Sequence, residues 1–140
     1  MSSPVAEPNL RMHFPAHIPF VDSLGITLAQ YGEGRAELRL EVRPDQENSL
    51  GMAHGGVVMT MLDVAMATAC RSANNGVGVI TIEMKSQFFS PSKGTLVARG
   101  RLMHRTRRMA FAEAELLDAL GGRCAHATGT FRYVEQPGSD

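Results

Sequence analysis

Several things are scarce in this chain of 140 residues. It has only two cysteines, Cys70 and Cys124, without CxxC spacing and within apolar or alternating segments, so buried thiols are expected rather than a disulfide or a metal site. It has no excess of either charge. Formal net charge is zero with 20% charged residues, which gives no electrostatic ground for binding nucleic acid or an anionic membrane surface. The first twenty residues carry Glu7, Arg11 and four prolines but no apolar run, so no secretory signal is expected and a bacterial-type cytoplasm is the expected location. There is no internal repeat, and the length suits one domain with a sizeable core.

What the chain does have is the stretch from Asn48 to Arg71, NSLGMAHGGVVMTMLDVAMATACR. From Gly55 to Cys70 it reads as a helix apolar on nearly every face, with one carboxylate, Asp63, in its middle. A helix apolar all round must be buried all round. A membrane span needs about 20 apolar residues, and an acid at its centre costs roughly 2.5 to 3.5 kcal/mol. Burial within protein is therefore expected, with sheet on one side and a further cover on the other. A buried carboxylate without partners is costly, so it takes up a proton or finds donors. Asp63 is expected to have a partner or a task.

The approach to this helix reads His54, Gly55, Gly56, with no Ser, Thr, Asp or Asn at the N-cap, so the first-turn amides are expected to lack a side-chain acceptor. Glycines also remove the Cβ atoms that would hold another group's oxygen away. Free amides at the positive end of the helix dipole suit an anion or a polarised carbonyl. An oxyanion hole needs that arrangement.

Around this segment the chain divides in order. Residues 1–16 are polar and proline-interrupted, which suggests a flexible arm, and residues 135–140 suggest a flexible tail. A short helix over residues 17–25 is closed by Gly25. A strand from Ile26 to Gln30 is followed by a Gly32/Gly34 turn. Ala36, Leu38, Leu40 and Val42 then alternate with Arg35, Glu37, Arg39 and Glu41, the period of a half-buried strand. Pro44 ends it, and residues 45–52 form a loop into the central helix.

Past the helix, Asn74, Asn75 and Gly76 mark a turn into VGVITIEMKSQFF, where Ile80, Ile82 and Met84 alternate with Thr81, Glu83 and Lys85. A turn at residues 91–94 precedes three more strands: Thr95 to His104, Met109 to Asp118 and Arg123 to Tyr133. Two strands, one long helix and four strands predict an α+β domain over residues 17–134, an antiparallel sheet wrapped around one helix. Met59, Met61, Met66, Phe88 and Phe89 read first as core, and some of them as lining for an acyl group.

Asn48, His54, Gly55, Gly56 and Asp63, spaced N-x(5)-HGG-x(6)-D within that element order, resemble the hotdog-fold acyl-CoA thioesterases of the phenylacetate-pathway (PaaI-like) type. The likeness covers roughly Asn48 to Pro91, and VITIEMKSQFFSP is similar to the family's strand after the helix. The resemblance implies a hotdog fold that assembles as a homodimer and as a dimer of dimers. It implies hydrolysis of acyl-CoA with no cofactor beyond the CoA of the substrate. It assigns Asp63 as nucleophile or general base and the Gly55 amide as oxyanion donor. Asn48 would place the water or the acid, and Thr81 would stand near the thioester.

Geometry adds an expectation of its own. Eight residues separate Gly55 from Asp63, about 12 Å along a helix at 1.5 Å per residue. A reacting carbonyl must lie about 3 Å from both nucleophile and oxyanion donors. One helix does not supply both, whereas two antiparallel copies do. Gly55 and Asn48 of one subunit are expected to face Asp63 and Thr81 of the other.

Other residues admit two readings. His54, beside Gly56, either orients substrate or hydrogen-bonds within the entry loop. Arg105, Arg107 and Arg108 form a solvated hairpin turn or bind the phosphates of coenzyme A, for which arginine's fork is suited. Hydrolysis leads the functional readings. Hydration of an enoyl thioester, with His54 as the partner acid or base, and non-catalytic acyl-CoA binding are the alternatives.

Overall fold

A computed structural model describes Phe14 and residues 16–134. Helix α1 spans Pro19–Leu24, with proline in its first turn and Gly25 beyond it in the left-handed conformation at φ 79°, its N–H on Asp22 O. The strands are β1 (Thr27–Gly32), β2 (Arg35–Glu41), β3 (Gly78–Phe88), β4 (Thr95–Arg105), β5 (Met109–Leu117) and β6 (Arg123–Val134), and the long helix α2 is Gly55–Ser72. The expected order of elements holds. The expected arm and tail lie outside the described residues, apart from Ala16 and from Phe14, whose side chain packs against the core. The expected loop over residues 45–52 begins in a 3-10 turn, Pro44–Gln46, that buries Gln46.

All six strands pair antiparallel in the order β1-β2-β4-β5-β6-β3. The sheet wraps α2, as the hotdog expectation requires. Close contact between helix and sheet depends on small side chains. Ala36, Gly100, Ala114 and Ala127 stand in one row across β2, β4, β5 and β6. A Cβ added to Gly100 would sit 2.2 Å from Ala65 O, so only glycine lets the helix backbone lie directly on the strand. On the helix side Met61, Leu62 and Met66 are wholly buried, each contributing about 2 kcal/mol by leaving water.

The expectation that α2 is buried on every face fails within the chain as described. Its sheet-facing residues are buried, but Gly56 and Met59 are exposed and Thr60, Asp63 and Ala67 are only partly covered, a stripe at helical spacing. Met61 and Met66 are core, as expected, whereas Met59 is 41% exposed and Phe88 and Phe89 are each 53% exposed. Apolarity marks a residue for burial without saying against what.

Candidate active site

The structure brings Asp63 and Thr81 together. Thr81 Oγ donates a 2.6 Å hydrogen bond to Asp63 Oδ1 across the gap between β3 and α2. Simple alternation would leave Thr81 on the same face as Glu83, away from the helix. A bulge resolves this. Thr81 pairs with Phe131 and Glu83 with Thr130, so Ile82 is an extra residue without a partner. Phe131 is wholly buried on the helix side, and Thr81 shares its face. Glu83 lies on the other side and accepts from Thr130 Oγ at 3.1 Å.

Asp63 is half-buried, and burial pushes its carboxyl above the ordinary aspartate range, with the Thr81 hydrogen bond partly opposing that shift. One carboxylate oxygen is held by Thr81. The other remains available to a reacting group.

The helix entry differs from expectation in one respect. His54 is the N-cap, and its Nδ1 accepts from the Gly56 amide at 2.9 Å. A histidine ring nitrogen does the work usually given to Ser, Thr, Asp or Asn. The first turn therefore does have a side-chain acceptor, and the Gly56 amide is occupied rather than free for substrate. The Gly55 amide has no acceptor among the described residues. With Nδ1 as acceptor, neutral His54 carries its proton on Nε2, an assignment inferred from the hydrogen bond.

Asn48 is also partly committed. Its Oδ1 accepts from the Leu50 amide at 2.9 Å and the Met52 amide at 3.3 Å, which shapes the entry loop. Its side-chain amide nitrogen is the group left to face a ligand. Phe88, read from sequence as core, stands beside Gly55: a Cβ added to that glycine would lie 3.9 Å from the ring. The only signal for it was the aromatic pair ending β3.

Arg105 is not held out toward a ligand. It donates to Ala73 O at 2.9 Å and lies over the Tyr133 ring, 5.1 Å from its centre, while Tyr133 donates to Cys70 O at 2.7 Å. A guanidinium on the last carbonyls of α2 is a favourable helix C-terminal contact. Arg107 and Arg108 are exposed in the same β4–β5 turn. That turn is at the opposite end of α2 from Gly55.

The chain thus holds two separate clusters: Asp63 with Thr81 at mid-helix, and the Gly55 amide with Phe88 and His54 at the helix start, into which the loop shaped by Asn48 leads. The uncovered stripe of α2 adjoins β3, an edge strand whose Ile80 and Ile82 are about half exposed. One group of charged residues belongs to another surface. Glu37 with Arg99 at 2.9 Å, and Glu113 with His126 and Arg101, line a cavity of about 420 Å³ on the outer face of the sheet. No residue of either cluster lines it.

A family model described as the thioesterase superfamily matches residues 50–125. Human acyl-coenzyme A thioesterase 13 is 23% identical over 100 residues, covering 70% of this chain and 71% of the relative. The structure of a conserved protein from Pseudomonas aeruginosa superposes with a TM-score of 0.81 at 27% identity, covering 86% of this chain and 97% of the other. A mutant form of the phenylacetic acid degradation protein PaaI from Thermus thermophilus gives a TM-score of 0.76 at 27% identity, covering 84% and 100% respectively.

Proposed function

The chain belongs to the thioesterase superfamily, and we propose that it hydrolyses acyl-CoA thioesters to free acid and CoA at a site shared by two protomers. The observation that carries this reading is the pairing of a half-buried Asp63 with Thr81 on a helix whose own free Gly55 amide is too distant to serve the same carbonyl. A second copy supplies what one lacks. The edge of β3, unpaired among the described residues and with exposed Ile80 and Ile82, and the open stripe of α2 around Asp63 are surfaces that a homodimer would cover.

In the assembled site the thioester carbonyl accepts from the Gly55 amide of one protomer. The helix dipole behind that amide favours the negative charge that develops on oxygen. Asp63 of the other protomer acts by one of two balanced routes. As nucleophile it adds to the carbonyl carbon and expels CoA as thiolate, leaving an anhydride that water hydrolyses to restore the carboxylate. As general base it takes a proton from water, hydroxide adds to carbon, and collapse releases the acid and the thiol. Thr81 fixes the direction in which the carboxylate points. Asn48 contributes its side-chain NH₂ beside the carbonyl, and Arg107 and Arg108 lie free to meet the phosphates of CoA. Enoyl hydration is less well supported, because His54 serves as the helix N-cap through Nδ1, which leaves it Nε2 alone for acid–base work.

Mixed dimers test the proposal. Asp63→Asn and Gly55→Pro chains are each expected to be inactive alone, and mixing them restores one intact site per heterodimer. Thiol release recovering on mixing supports the shared site; its failure to recover in demonstrated heterodimers would reject it.

A further inference from the structure

We infer that the cavity beside the start of α2 receives the acyl arm of the substrate, and that carboxylates on its rim, above all Glu47, select against acyl groups ending in a carboxylate. The inference rests on the thioesterase reading above and adds the substrate class. The cavity has a volume of about 500 Å³, within the range of pockets that enclose drug-sized ligands and well beyond what an acetyl group fills. His54 and Gly56 line it, so it opens next to the Gly55 amide on which the carbonyl would rest. Phe20 and Leu24 of α1 and Val57 of α2 give it an apolar wall suited to a carbon chain or ring.

Charge decides which arm of the thioester enters. Apart from His54, the titratable side chains lining the cavity are Asp45 and Glu47. Asp45 is paired with Arg43 at 3.1 Å, whereas Glu47 has no ion pair among the described residues. A rim with uncompensated negative charge repels the phosphates of CoA, so the CoA arm leaves on the other side and the acyl arm occupies the cavity. The same charge disfavours a carboxylate at the far end of that arm, since like charges brought together on binding are costly.

The test compares decanoyl-CoA with its ω-carboxylated analogue of equal length, by thiol release. The wild-type protein should favour the neutral substrate by at least about tenfold in kcat/KM, and the preference should shrink as salt screens the rim. Glu47→Lys should reduce or invert the ratio. Because a ratio is read, a general loss of rate in the variant does not obscure the result. Equal kcat/KM for both substrates, or a ratio unmoved by Glu47→Lys, overturns the inference while leaving hydrolysis intact. Thiol release from neither substrate nor any other acyl-CoA overturns the thioesterase reading and this inference with it.

Discussion

Thr81 and Asp63 meet through a 2.6 Å hydrogen bond only because Ile82 is extruded from the ladder between β3 and β6. The bulge turns a hydroxyl that alternation assigns to the outer face toward the helix acid. Bulges re-aim side chains in this way near sites of function.

The first prediction concerns pH. Asp63 must be ionised to act as nucleophile or base, and burial raises its pKa while Thr81 lowers it. The acidic limb of kcat/KM should therefore lie above the ordinary aspartate value of about 3.9. Thr81→Val removes the lowering contribution and should shift that limb to still higher pH, with kcat down about tenfold, as expected for losing a hydrogen bond to a charged group. A pH–rate profile checks this, and an unmoved limb would contradict the assigned pairing.

Asp63→Asn should cut turnover by about 10² to 10⁴ while making the fold more resistant to heat at pH 7. The sign follows from linkage. With a raised folded-state pKa, the native protein holds more protons than the unfolded chain between the ordinary aspartate value and the raised one. Stability therefore falls as pH rises through that window. The variant lacks this decline, so its advantage in melting temperature should be present at pH 7 and disappear below about pH 3.9. Thermal melts at both pH values decide the matter.

Gly55→Pro and Gly55→Ala separate the amide from the space around it. Gly55 is the first helical residue, the position where proline is best tolerated, and His54 before it is already extended at φ −60° and ψ 143°. Proline should keep the fold and delete the N–H, with a loss of about 10² to 10³ in kcat. Alanine keeps the N–H and places its methyl at an ordinary 3.9 Å from Phe88, so it should retain clearly more activity. Steady-state kinetics beside circular dichroism read both effects, and equal losses in the two variants would count against an amide role.

Gly100→Ala should be severe although the position touches no proposed site residue. Its methyl would lie 2.2 Å from the backbone oxygen of Ala65, which has no rotamer with which to yield. Separation of helix from sheet should cost about 3 kcal/mol, the upper part of the usual range for overpacking. Denaturant unfolding measures it. Loss below about 1 kcal/mol would mean the helix shifts freely, contrary to the small-residue row beneath it.

Much of this architecture can be read from the chain. Strict alternation over residues 35–42 and the turn residues at Gly25, Gly34, Asn75 and Gly76, all left-handed in the structure, mark β2 and several connections. The apolar run from Gly55 to Cys70 marks the helix and the acid inside it. Other residues misled for definite reasons. Arg105 carries the charge of a phosphate ligand yet caps a helix end 32 residues away in sequence. His54 is an uncommon cap because imidazole can accept only in one tautomer. Phe88, Phe89 and Met59 have the hydrophobicity of core residues, and sequence does not distinguish a surface buried within the chain from one left open on it.

The order of apolar and polar residues by itself determined six strands, a central helix and an acid inside it, because periodicity, turn chemistry and helix length are local properties. Tertiary structure decided the strand order that leaves β3 at the edge, the bulge that turns Thr81 onto Asp63, and the commitment of Arg105 to a carbonyl at the end of α2. Those outcomes depend on which groups distant in the chain come within hydrogen-bonding distance. No local pattern encodes such distances, and only the packed helix and sheet bring them about.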